Sequence, residues 1–244
     1  VGMGVIFSCF AEVASRFQQA GGPYLYARTA FGRGMGIQMA WMLFLGQAAA
    51  PAANANLFVI YLGEFWPHAR DPLPRALILT ILIGLLAFIN VRGVRAGTQV
   101  SNFFTAAKLL PLFAVIGMGL FALRAHPGVI PPGAPPAFTI STWLQAVLLL
   151  VFAYGGFETA LAPMSEAKDP RRDTPFALFT ALLVCTVIYA LIQWVVVGVL
   201  PDAAHSERPL AEVARIAVGS LGATLIAVGA LISFTGMIGL TLTH

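Results

Sequence analysis

Residues 34–63 run for 30 positions without one charged side chain, and residues 76–91, 174–201 and 216–243 are equally bare. Charged residues make up 10% of the chain against about 25% in soluble domains, and 59% of it is apolar. The class is therefore an integral membrane protein, with the lipid bilayer as its solvent. The apolar start at residues 1–11 and the windows around Lys108 and Glu158, each with a single ion, bring the candidate helices to seven. A spanning helix needs about 20 residues, so the first is short and 76–91 is marginal. At about 1.5 Å per residue, 34–63 overruns a core of about 30 Å and must tilt, kink or project. The expected arrangement is one all-α transmembrane domain over 1–244, with helices at 1–17, 35–63, 75–91, 103–123, 142–164, 176–200 and 211–242.

One of these spans is interrupted. Residues 146–165 have bilayer length, yet Gly155 and Gly156 fall midway and Glu158 follows two positions later. Each glycine weakens a helix interior by about 1 kcal/mol against alanine, and an ion at mid-bilayer costs about 2.5–3.5 kcal/mol. A helix that merely crossed lipid would need neither. Backbone without helical partners persists at that depth only beside protein or a watery cavity, which is how secondary transporters hold a polar solute. The spans are expected to break near 154–158.

The formal charge of +4 does not indicate nucleic acid, because the basic residues are scattered through short connections. With alternating spans, Arg16, Arg28, Arg33, Arg92, Arg95, Lys168, Arg171 and Arg172 share one side, and Arg70, Arg75, Arg124, Arg208 and Arg215 the other. The positive-inside rule puts the first set in the cytoplasm of a multi-pass protein of the cell membrane. Tyr24, Tyr26, Tyr61, Trp66 and Trp143 lie near span ends, as interfacial anchors do. Cys9 and Cys185 sit inside apolar helices and read as packing residues. His68, His126, His205 and His244 have no metal-ligand spacing, and there is no GxxxxGK[ST] phosphate cradle. No metal, cofactor or ATP-driven step is expected. The connection bearing Pro127, Pro131, Pro132, Pro135 and Pro136 is expected to be an extended external linker.

Lys108 is the one basic residue inside an uninterrupted span. Two readings stand: its stem snorkels to the cytoplasmic surface, or its burial lowers the pKa and lets it exchange a proton during transport. Pro111 favours the second by kinking the helix and freeing the Ala107 carbonyl beside the ammonium. The stretch from Gln18 through Gly21, Gly22 and Pro23 to Arg28 reads as a cytoplasmic turn at the interface, and that from Ser165 to Pro175 as a solvated mixed-charge loop. The chain opens inside one apolar helix and closes after another without an initiator methionine, and is read as a fragment.

Four blocks in order, residues 20–33, residues 90–95 leading to Lys108, Gly155-Gly156-Phe157-Glu158, and residues 166–175, carry a resemblance to amino-acid permeases of the amino acid, polyamine and organocation superfamily. That resemblance implies a five-plus-five inverted-repeat (LeuT-like) fold whose broken first and sixth helices hold the substrate. It implies that this chain runs from the second helix into the eighth, with the first helix missing. The half of the site then present is Phe152, Ala153, Tyr154 and Gly155, whose helix-end carbonyls suit a substrate ammonium, with Gly156 completing the break. Lys108 is implied to stand where sodium sits in sodium-coupled relatives, with Ser233 as hydroxyl partner unless that serine bonds its own helix. Glu158 itself reads either as a group for gating or proton release or as a buried, protonated acid tying two helices together. Tyr154 and Phe157 flank the break and are candidates to close over the substrate.

The resulting expectation is a secondary active transporter that moves amino acids or related amines by alternating access, as a proton symporter or an exchanger. A channel or structural membrane subunit is the alternative, because a broken helix also lines pores. An enzyme is not expected, since Lys108 and Glu158 are the only ions well inside the spans and no histidine accompanies them.

Overall fold

The computed structural model describes residues 2–17, 21–91, 98–125, 139–161 and 169–241. Gln18, Gln19, Ala20, the stretch from Arg92 to Arg95, the proline-rich connection, and Ser165, Glu166, Ala167 and Lys168 lie outside them. The described elements are α1 Gly2–Arg16, α2 Gly22–Phe31, α3 Arg33–Leu62, a 3-10 turn Pro67–Arg70, α4 Pro72–Val91, α5 Thr98–Ala125, α6 Ile140–Ala153, α7 Phe157–Ala160, α8 Pro170–Val199, α9 Pro209–Val218 and α10 Ser220–Thr241. All are helical. Among the described residues, Arg33–Leu62, Ala106–Arg124, Arg171–Val199 and Ser220–Gly239 are long and apolar enough to cross a membrane, while Pro72–Phe88 and Ile140–Ala153 are shorter apolar helices. The chain divides into two compact units, Val1–Leu45 with Pro132–Tyr189, and Gly46–Pro131 with Ala190–His244.

In the first unit Phe7, Ala11 and Ala14 of α1 pack with Leu161 and with Leu178 of α8. The Gly21-Gly22-Pro23 stretch expected as a turn instead starts helix α2. Proline suits the first turn of a helix, where its missing N–H would lack a partner anyway. The turning is done at the helix ends, by Gly21 at φ +149° and Gly22 at φ +51° on entry and by Gly32 at φ +89° on exit. Likewise α8 begins at Pro170, inside the stretch expected as a loop. The Asp173 carboxylate accepts from the Asp169 N–H at 3.2 Å, so these charges start a helix.

In the second unit the buried core is built on small and β-branched residues, among them Val115, Val195, Val199, Ala214, Ala223, Ile226 and Ala227. Close approach sets this composition. A methyl group on Gly119 would stand 1.9 Å from Val195, and one on Gly229 would stand 2.3 Å from Pro111. Membrane helices gain their contact from such small residues, because lipid supplies no hydrophobic drive between them.

Residues 211–242, expected as one helix, form two. Gly219 at φ +84° ends α9, its N–H bonded to the Arg215 carbonyl at 2.9 Å. Glycine takes that conformation without the Cβ penalty other residues meet. The short α9 buries Ala211, Val213 and Ala214 and is held at its polar side by Glu64. The Glu64 side chain is 12% exposed and bonds Arg208 at 2.7 Å and also Arg215. Arg70 pairs with Glu207, and Ser206 donates to Glu212 at 2.7 Å. In α3, Asn54 and Asn56 donate to the Ala50 and Ala52 carbonyls beside Pro51, and Arg75 donates to the Asn56 oxygen. Both amides bond their own helix, and Asn56 also ties α3 to α4 through Arg75.

Candidate functional site

Thr139 caps α6, its hydroxyl accepting from the Thr142 N–H at 3.2 Å, and the helix then runs through uninterrupted apolar sequence from Ala146 to Ala153. The ladder changes register at its end. Tyr154 N–H still reaches the Leu150 carbonyl at 3.1 Å, but Gly155 N–H turns to Phe152 at 3.1 Å. The Val151 carbonyl thereby loses the partner that a continuous helix would give it. Gly156 follows at φ +97°, a conformation open to glycine and strained for other residues. The chain re-enters helix at Phe157 for one turn, through Ala160.

Two kinds of support hold this break. The Glu158 carboxylate reaches back and accepts from the Gly156 N–H at 2.9 Å, satisfying a donor that the interruption releases. On the other flank, α8 supplies hydroxyls. Tyr189 donates to the Ala153 carbonyl at 3.2 Å, and Tyr154 donates to Thr186 at 3.1 Å. The Thr186 hydroxyl passes its own hydrogen to the Leu182 carbonyl at 2.7 Å, and the Tyr154 and Tyr189 rings meet edge to face at 5.3 Å. A helix C-terminus carries the negative end of the helix dipole, so α6 presents partial negative charge where its last carbonyls leave the ladder.

Of the sequence-derived candidates, Phe152, Ala153, Tyr154, Gly155, Gly156, Phe157 and Glu158 are contiguous at the break. Phe152 faces outward, Tyr154 is half-buried against α8, and the Phe157 ring packs at a tilt against Phe7 at 4.2 Å and edge-on to Phe10 at 5.2 Å. Lys108 and Ser233 belong to the other unit. Lys108 is exposed on α5 one turn before Pro111, and Ser233 lies one turn after Gly229, the residue against which Pro111 packs. Among the described residues neither has a hydrogen bond or ion pair. Thr235, two residues on, bonds its own helix at the Leu231 carbonyl, 2.8 Å away.

Thr186 and Tyr189 are absent from the sequence-derived set. A signal for them exists: two hydroxyl residues three apart share one face of an apolar span. Tyr189→Phe keeps the ring contact and removes only the hydroxyl. It is expected to cost about 1 kcal/mol, read as a lower thermal midpoint in detergent. An unchanged midpoint would mean that the Ala153 carbonyl does not rely on it.

The family described as "Amino acid permease" matches residues 1–243. "Cationic amino acid transporter 9, chloroplastic" of Arabidopsis thaliana is 29% identical over 96% of this chain and 43% of its own length. "Cationic amino acid transporter 3, mitochondrial" of the same plant is 30% identical over 79% of the chain and 34% of the relative. "Cationic amino acid transporter 4, vacuolar" is 31% identical over 79% and 35%. The chain thus spans less than half the length of these curated relatives.

Proposed function

The chain belongs to the amino acid permease family, and from that premise we propose that it carries the broken-helix part of a secondary amino-acid transporter working by alternating access. One observation carries the proposal: an apolar helix of the first unit stops at Ala153, turns through a glycine at positive φ, and restarts at Phe157. The final carbonyls of α6 are the groups we assign to the substrate ammonium. Backbone oxygens at a helix C-terminus attract a cation without adding a formal charge to the membrane.

The substrates we propose are amino acids, with cationic ones foremost because the relatives carry that word in their names. The assigned membrane is the cell membrane, which imaging of a fluorescent fusion tests. Saturable, stereoselective counterflow of radiolabelled L-arginine or L-lysine in proteoliposomes tests the carrier reading. A conductance that is neither saturable nor stereoselective would replace the carrier by a channel.

Lys108 is proposed to couple transport to protons, with Ser233 as its hydroxyl partner. Support comes from their positions, each one turn from the crossing of Pro111 with Gly229, and from a Ser233 hydroxyl not turned back on its own helix among the described residues. Lys108→Ala is expected to abolish uptake driven by a pH gradient while sparing exchange. Undiminished gradient-driven uptake in that variant would remove the lysine from the mechanism. Glu158 is proposed as the gating group, releasing the Gly156 N–H as it takes up a proton and becomes a weaker acceptor.

A further inference from the structure

The carbonyls that leave the ladder at the end of α6 are not equivalent. That of Val151 loses its partner when the Gly155 N–H turns to Phe152. That of Ala153 gains one, because Tyr189 of α8, in the same unit, donates its hydroxyl to it at 3.2 Å. Tyr154 and Tyr189 meet edge to face, yet Tyr154 gives its hydroxyl hydrogen to Thr186 and Tyr189 gives its own to the backbone. The Tyr189 bond is long for an O–H···O contact, whose usual length is about 2.7–2.8 Å. A released carbonyl left without a donor in a bilayer is costly. A weak, neutral donor stabilises it without adding a charge.

We infer that the Tyr189 hydroxyl and the substrate ammonium compete for the Ala153 carbonyl, so that Tyr189 is a positioning residue that sets the affinity of the site. The inference rests on the assignment of the α6 carbonyls to that ammonium. Strength decides the contest. A hydrogen bond from a charged donor is roughly twice as strong as one between neutral groups, so the ammonium prevails over the phenol. The phenol nonetheless weakens binding, because apparent affinity falls with the fraction of the protein whose acceptor is free. Although the carbonyl oxygen has two lone pairs, a donor on one withdraws charge from the other. The ring contact with Tyr154 does not depend on the hydroxyl and keeps Tyr189 beside the site as the bond is exchanged. A carrier has to let its cargo go, and a competitor for a ligating oxygen speeds that release.

Binding of radiolabelled L-arginine to the detergent-solubilised protein, measured by equilibrium dialysis, tests the competition. Tyr189→Phe is expected to lower Kd about fivefold, the equivalent of one neutral hydrogen bond, and to slow dissociation while the thermal midpoint falls. A residue that only braced the break would lose affinity and midpoint together. Thr186→Val loosens the neighbouring contact without freeing a carbonyl of α6, and should bring no gain in affinity. Replacing Tyr189 by 3-fluorotyrosine keeps the hydroxyl and makes it observable. Its fluorine resonance should shift on saturation with L-arginine and not with the analogue lacking the α-amino group. An unchanged or raised Kd in Tyr189→Phe, an equal gain in Thr186→Val, or a fluorine signal indifferent to L-arginine would overturn the inference. Those results leave the transporter reading standing, whereas failure of the unaltered protein to bind L-arginine or L-lysine removes both.

Discussion

Gly156→Ala is expected to lower counterflow kcat/KM by about tenfold to a hundredfold, the equivalent of a backbone strain of about 1–3 kcal/mol. Space is not the obstacle. A methyl group there meets no atom within 4 Å, so the whole effect comes from φ +97°. An alanine has to leave that conformation, and doing so re-aims the peptides between Ala153 and Phe157 that the account gives to the substrate. Gly84 and Gly117 serve as controls, since a methyl group is equally unobstructed at both and neither lies at positive φ. Their alanine variants are expected to transport normally. Equal activity in all three would mean that the Gly156 conformation is irrelevant to transport.

Glu64→Gln should have the largest effect on stability, about 3 kcal/mol. The carboxylate is nearly buried and answers two arginines, Arg208 at 2.7 Å and Arg215. Glutamine keeps the shape and one acceptor but leaves two cations facing each other. Arg215 is about half exposed and recovers much of its loss from water, so the cost falls mainly on Arg208. The expected readings are a lower thermal midpoint and faster tryptic cleavage after Arg208 and Arg215 as α9 loosens. A midpoint matching the parent protein would show that α9 is held by its buried face alone.

What the sequence disclosed depended on the kind of signal. Charge-free windows announce membrane helices directly, and the all-α architecture was legible from residues 34–63, 174–201 and 216–243. The interruption after Ala153 was visible because two glycines and a glutamate oppose a strong apolar background. Glycine and proline at helix ends were harder. Gly21-Gly22-Pro23 looks like a turn, yet proline is at home in a first helical turn, so a helix follows. Gly219 lies in apolar surroundings and resembles one more membrane glycine, until its positive φ divides α9 from α10. The hydroxyl partners at the break escaped because a carbonyl released at Ala153 does not specify which neighbouring helix will answer it. Tyr189 answers through a tertiary contact 36 residues away in sequence. The Glu64 cluster escaped for the same reason, its arginines lying 144 and 151 positions on.

The central claim is that the released end of α6 grips the ammonium of a substrate, and substrate protection at that point tests it most directly. A Phe152→Cys variant is made in a background where Cys9 and Cys185 are replaced by serine, and its alkylation by a small maleimide is timed in proteoliposomes. Saturating L-arginine or L-lysine is expected to slow the reaction at least tenfold, while the analogue lacking the α-amino group leaves it unchanged. An alkylation rate indifferent to the amino acid, or slowed equally by the deaminated analogue, would contradict the assignment of the α6 carbonyls to the substrate ammonium.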